Sequence, residues 1–190
     1  DARGVLQSYP GVAAEKALLD ALAKAKGKTK LGLIQSLGLR RSDAAAKPIA
    51  AILKNDMANA PQASTCITAL GNIGTKKAIE MLLDTEVKLA KLPVFYDAVL
   101  VGCTHMAEEG AAALSGKIVE HILPKASAMQ KVAALQCLLK AQAPAAIDMV
   151  VVASKTNSRI KALLGTMPVG KEYTVALGDA LVKNDALTQP

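Results

Sequence analysis

Apolar positions recur at helical spacing along almost the whole chain, and the pattern breaks every 12 to 20 residues. Pro10-Gly11 opens a first segment, Val12 to Lys26, which Gly27 breaks. A second runs from Lys28 to Leu39, where Arg40-Arg41-Ser42 turns the chain, and a third from Asp43 to Lys54. Asn59 with Gln62 three residues on reads as a capping box, in which side chains and backbone N–H groups at a helix start satisfy each other. Gly74 stands where a left-handed residue ends that fourth helix, and Thr75 is placed to cap a fifth. A sixth helix spans Pro93 to Glu109 and stops at Gly110; a seventh spans Ala111 to Leu123 and ends near Pro124. Ser127 and Gln130 form a second capping-box pair that opens an eighth helix, to Ala141, and Pro144 starts a ninth ending near Ser154. From Asn157 to Ala186 the pattern predicts one or two shorter helices punctuated by Gly165, Pro168 and Gly170.

The segments repeat. Leu31–Leu39 aligns with Ser64–Asn72 at a shift of 33, which pairs Ile34 with Ile67, Leu37 with Leu70 and Gly38 with Gly71. The helix that follows also matches, Pro48–Leu53 against Ala78–Leu83. Setting Gly102 on Gly71, a shift of 31, gives a third copy followed by Ile118–Leu123. Setting Leu135 on Ile67, a shift of 68, gives a fourth followed by Ala145–Val152. Each unit is a helical hairpin that cannot bury its apolar face alone, so stacked neighbours would share a continuous core. Ala residues and Gly38, Gly71 and Gly102 would let adjacent helices approach closely. An irregular helical bundle is the alternative.

Leu70-Gly71-Asn72-Ile73-Gly74-Thr75-Lys76-Lys77-Ala78-Ile79 resembles the junction of HEAT-like repeats of the phycobilisome-lyase-like variety. The resemblance covers roughly Val12 to Val152, with the second glycine missing from the third and fourth copies. It implies an all-α, right-handed α-α superhelix of about four hairpins, with one helix of each hairpin lining a concave side. It implies a binding scaffold more often than an enzyme, and no particular ligand. The expected layout is a lead-in over residues 1–11, a repeat array over 12–154 and capping helices over 155–190. On the last of these, Tyr173, Val175, Leu177 and Leu181 would cover the apolar face of the final hairpin.

Composition agrees with helices. Hydrophobic residues make up 52% of the 190 residues, too many for a disordered chain, while aromatics are only 2%, too few for the strands of a sandwich or barrel. The apolar stretches near Val99–Cys103 and Ile147–Ala153 are far shorter than the roughly 20 residues a membrane span needs. The expectation is a soluble protein, cytoplasmic or exported. Because the sequence opens on Asp1, we read it as a processed or excised piece whose targeting information is missing. Cys66, Cys103 and Cys137 are odd in number and widely spaced, which is neither a disulfide framework nor a zinc signature.

Candidate chemistry is sparse. If the second copy buries Cys66, Ile67, Leu70 and Ile73, then Thr65, Thr68 and Asn72 share another face. Carried across the copies, that face has three rows: Gly32, Thr65, Tyr96 and Ala133; Gln35, Thr68, Val99 and Gln136; Leu39, Asn72, Cys103 and Lys140. The candidate binding residues are therefore Gln35, Thr65, Thr68, Asn72, Tyr96, Gln136 and Lys140, in a small, neutral, mildly polar groove. Cys103 and His105 are two apart on a helix and point about 200° apart, so they cannot share a metal, and His121 belongs to another helix. Cys66 reads as a small core residue. Glu108-Glu109 at a helix end opposes the macrodipole, which is mildly unfavourable. Gly165–Gly170 followed by Lys171 lacks the ending a phosphate-cradling loop uses and reads as a turn. We expect no catalytic residue, cofactor or metal.

Charge raises one rival. Residues 1–95 hold 14 Lys/Arg and 8 Asp/Glu, net +6, whereas residues 96–190 hold 9 and 8, net +1. Lys24, Lys26, Lys28 and Lys30, with Arg40 and Arg41 at the far end of the same helix, form a candidate basic edge for phosphates. Against nucleic acid, base stacking uses aromatics, and the chain has only Tyr9, Phe95, Tyr96 and Tyr173. The expected function is a non-catalytic protein-interaction scaffold, one module of a larger protein, whose partner is another protein or a neighbouring domain. The alternatives are a nucleic-acid-binding HEAT-like protein of the repair-glycosylase type and a lyase-like protein that holds a chromophore. The latter is disfavoured because the inferred groove has no carboxylate.

Overall fold

Local caps set most of the helix boundaries. The computed structural model describes residues 2–9, 11–141, 147, 151–152, 155, 158 and 170–186, and among them every regular element is helical. They are α1 (Ala2–Ser8), α2 (Val12–Lys24), α3 (Gly27–Leu39), α4 (Asp43–Asn55), α5 (Ala60–Ile73), α6 (Lys76–Leu83), α7 (Glu86–Leu89), α8 (Val94–Glu108), α9 (Ala112–Ile122) and α10 (Ala128–Lys140), with a 3-10 turn at Leu123–Lys125 and a C-terminal helix, Lys171–Ala186. Ser127 and Gln130 form the full reciprocal box: Ser127 Oγ accepts from the Gln130 N–H, and Gln130 Oε1 accepts from the Ser127 N–H. Asn59 caps α5 in one direction only, because the Gln62 side-chain amide donates to Asp56 instead. Thr75 caps α6 by accepting from Ala78, and Gly74 ends α5 at φ 65°.

Arg41 ends α3 in the same left-handed region, at φ 54°. The Ser42 N–H donates to the Leu37 carbonyl and the Arg41 N–H to the Gly38 carbonyl, the paired bonds of a Schellman motif. Glycine is usual at such a position. Here the Arg41 guanidinium donates to the carbonyl of Ile73 at the end of α5, which links the two helix ends.

The chain packs as two units, Asp1–His105 and Met106–Pro190, and the boundary falls inside α8. In the first unit α3 lies against α5, α4 against α6, and α4 against α5, while α1 and α2 pack on α3. Its core is aliphatic: Leu18 and Leu22 from α2, Ile34 and Leu37 from α3, Ile49 and Leu53 from α4, Ile67, Leu70 and Ile73 from α5, and Ile79 and Leu82 from α6. Burying each such side chain contributes about 1.5–3 kcal/mol. Phe95 and Tyr96 of α8 meet edge to face at 5.4 Å.

Close approach of the helices depends on glycine. A Cβ on Gly38 would stand 2.8 Å from the Ala69 Cα, and one on Gly71 2.8 Å from the Ala98 Cα. Gly102 faces the other way: a Cβ there would press into the Ile79 side chain, 2.8 Å from its Cγ1, and lie 3.2 Å from the Gly71 carbonyl oxygen.

In the second unit α9 packs on α10, and Val119, Ile122, Leu138 and Leu139 are fully buried. The C-terminal helix buries Leu177 and Ala180 and leaves Val175 and Leu181 exposed, so the apolar stripe expected there is narrower than the pattern implied. The Tyr173 side chain and most of the helix expected over Pro144–Ser154 lie outside the described residues, although Ile147, Val151 and Val152 are helical. Two short helices were not legible in the sequence: α1, inside the expected lead-in, and α7.

Candidate functional site

The parallel stacking of α3 on α5 leaves a shallow groove along their shared outer face. Gln35, Leu39, Ser64, Thr65, Thr68, Ala69 and Asn72 line it, around a volume of about 350 Å³. Four of the candidate residues, Gln35, Thr65, Thr68 and Asn72, thus come together as the 33-residue shift between α3 and α5 requires. Leu39, from the same rows, stays 60% exposed and supplies the apolar part of the wall. Ser64 and Ala69 were missed, since each sits one residue off the inferred face. Thr65 Oγ1 donates to the Pro61 carbonyl of its own helix. No lining side chain is charged.

The rows do not continue onto α8. Tyr96 is buried and its hydroxyl donates to Glu86 Oε1 at 3.1 Å; Val99 and Cys103 are fully buried. Solvent instead reaches Asp97 and Val101 and partly Thr104. The reason is the glycine used to align the copies. Gly38 and Gly71 each abut the next stacked helix, whereas Gly102 abuts the preceding elements, so it is not the equivalent of Gly71. A 31-residue shift therefore turns the inferred face inward. Burial and the bond to Glu86 push the Tyr96 hydroxyl up to about 12.

Gln136 and Lys140 lie in the second unit. Gln136 is half-buried on α10, and Lys140 donates to Glu108 Oε1 at 3.2 Å. That ion pair accounts for part of the unfavourable acidic end of α8, since a cation offsets a carboxylate at a helix C-terminus.

The basic edge divides. Lys24, Lys26 and Lys28 are exposed around the α2–α3 junction, and Lys30 is half-buried. Arg40 and Arg41 lie at the other end of α3, which at 13 residues spans about 20 Å. Both bond to the protein's own carbonyls. Arg40 donates to Gln7, Tyr9 and Gly11, which ties the α1 segment to the end of α3, and Arg41 donates to Ile73. The two arginines therefore stand about a helix length from the lysines, with Arg40 and the Arg41 Nε bonded to backbone carbonyls.

The remaining reactive side chains are dispersed. Cys66, Cys103 and Cys137 are buried thiols, and burial pushes Cys66 up to about 12, with Lys30 pulling weakly the other way. His105 donates from Nδ1 to the Asn72 carbonyl at 3.1 Å, which fixes the proton on that nitrogen because a carbonyl can only accept. His121 Nε2 accepts from Lys125. Among the described residues no three His, Cys, Asp or Glu side chains converge as metal ligands, and no helix is long and apolar enough to cross a membrane. The chain matches no protein-family model, no curated protein and no solved structure.

Proposed function

We propose that this chain is a non-catalytic protein-interaction scaffold of the HEAT-like kind, a stack of helical hairpins that grips a segment of a partner protein in the α3–α5 groove. One observation carries the reading: the groove is lined by amides, hydroxyls and small apolar groups, with no ionisable side chain. Amides and hydroxyls both donate and accept, which suits the alternating N–H and C=O groups of a peptide backbone. Such a lining has neither a general acid or base nor a nucleophile with a depressed pKa. The stacking of α3 on α5 and α4 on α6 supports the hairpin array, as does the sequence match between those helices.

The nucleic-acid reading rests on Lys24, Lys26 and Lys28, which are exposed, whereas Arg40 donates to three backbone carbonyls and Arg41 Nε to one. The test is selection of displayed peptides on the whole chain, followed by affinity measurement with Thr68→Arg. Thr68 is exposed, so this variant keeps its fold while its side chain fills the groove. The reading expects selected peptides to lose at least roughly tenfold affinity, about 1.4 kcal/mol. Failure to select any peptide, together with salt-sensitive binding of duplex DNA, would replace it with the nucleic-acid reading.

A further inference from the structure

A second groove lies between α2 and α4, on a different face from the one above, and it does not depend on that reading. Leu19, Leu22 and Ala23 form the α2 wall, and Ala44, Pro48 and Ile52 form the α4 wall at helical spacing. Its volume is about 400 Å³. That is near the lower end of small-molecule sites, which hold roughly 300–1,000 Å³. A docked protein helix would need a far larger face, because stable interfaces bury on the order of 1,200–2,000 Å².

Two charged side chains line this apolar space, Lys30 from α3 and Asp20 from α2. Neither has an ion pair among the described residues. Lys24, Lys26 and Lys28 are exposed around the same α2–α3 junction, next in sequence to the lining residues Ala23 and Ala25 and close to Lys30. Lysines outnumber carboxylates four to one over residues 20–30, so an anionic head is the group this junction would favour.

We propose that the α2–α4 groove binds a small anionic amphiphile: a short hydrocarbon chain between Leu19, Ala23, Ala44, Pro48 and Ile52, with its carboxylate at Lys30. Binding is non-covalent. The chain is driven in by the burial of apolar surface, and the head is selected by charge. Asp20 opposes the head group, which gives the two charged residues opposite signs in a test.

Decanoate and decyltrimethylammonium below their micelle concentrations, and decanol below its solubility limit, are titrated into the whole 190-residue chain while backbone amide shifts are followed by NMR. Decanoate is expected to bind most tightly, with shifts at Ala23, Ala44 and Ile52. Lys30→Gln should weaken decanoate by up to about fivefold, the range of a part-exposed ion pair, and Asp20→Asn should strengthen it. Ala44→Phe, a change at an exposed position, should block all three probes. Circular dichroism checks that each variant keeps its helices. Equal binding of the three probes, preference for the ammonium, shifts confined to other helices, or no shift at millimolar decanoate would each overturn the proposal.

Discussion

The α-carbon of Gly71 lies so close to the backbone of Ala98 that a methyl group there would stand 2.8 Å from the Ala98 Cα. Backbone cannot swing aside as a side-chain tip can, so any larger residue must push α5 and α8 apart. Gly71→Leu should cost roughly 1–3 kcal/mol, the usual range for overpacking. Gly178→Ala is the counterpart. Its position is inside the C-terminal helix with nothing within 4 Å of an added Cβ, so it should gain about 0.5–1 kcal/mol through lower unfolded-state entropy. Denaturant titration of both variants checks the signs; a neutral Gly71→Leu would mean that α5 and α8 are not in tight contact.

Gly74 and Gly27 separate backbone strain from steric clash. Both have positive φ, 65° and 53°, but an added Cβ at Gly74 meets the His105 side chain at 2.7 Å, while at Gly27 it meets nothing within 4 Å. Gly27→Ala should cost about 1–2 kcal/mol for the left-handed conformation alone. Gly74→Ala should cost more, and the difference should shrink when His105 is also changed to Gly, which removes the Cβ that makes the 2.7 Å contact. A double-mutant cycle measures that coupling.

Much of this architecture was legible in the sequence, because caps and breakers act locally. Ser127 with Gln130, Thr75, Gly74 and Gly110 fix helix ends through bonds within a few residues, and such bonds are written in the spacing. The face shared by Gln35, Thr65, Thr68 and Asn72 was legible for a related reason: α3 and α5 carry the same pattern in the same phase. Tyr96 was misplaced because Gly102 looks like Gly71 in a linear pattern but packs backwards, against Ile79. The α2–α4 groove left no trace in the pattern, since it depends on the distance between two helices rather than on the periodicity of either.

Alkaline pH should destabilise the protein. Burial raises the Cys66 thiol from 9.0 to about 12, and burial with the Glu86 bond raises the Tyr96 hydroxyl from 10.0 to about 12. Between those values the unfolded chain has released protons that the folded chain still holds, so stability is intact below pH 9 and falls as pH rises towards 12. Urea unfolding at a series of pH values should show this slope, and Tyr96→Phe should flatten its upper part. In native protein Cys66 should resist thiol reagents until the chain unfolds.

Arg40 should hold the first turn-and-helix segment in place. Its guanidinium donates to Gln7, Tyr9 and Gly11, and Ser36 Oγ donates to Gln7 Oε1 beside it. A hydrogen bond to a charged group contributes about 1.5–3 kcal/mol. Arg40→Ala should therefore raise amide exchange across Ala2–Ser8 while leaving α5 protected. Unchanged exchange there would show that packing and the Ser36–Gln7 bond hold α1 without Arg40.

The proposed scaffold role is tested most directly by mapping a display-selected peptide onto the chain by backbone amide shifts. The account predicts perturbations at Gln35, Thr65, Thr68 and Asn72, with none of comparable size at Lys24–Lys30. Perturbations confined to the lysine cluster, with Gln35 and Thr68 unmoved, would contradict it.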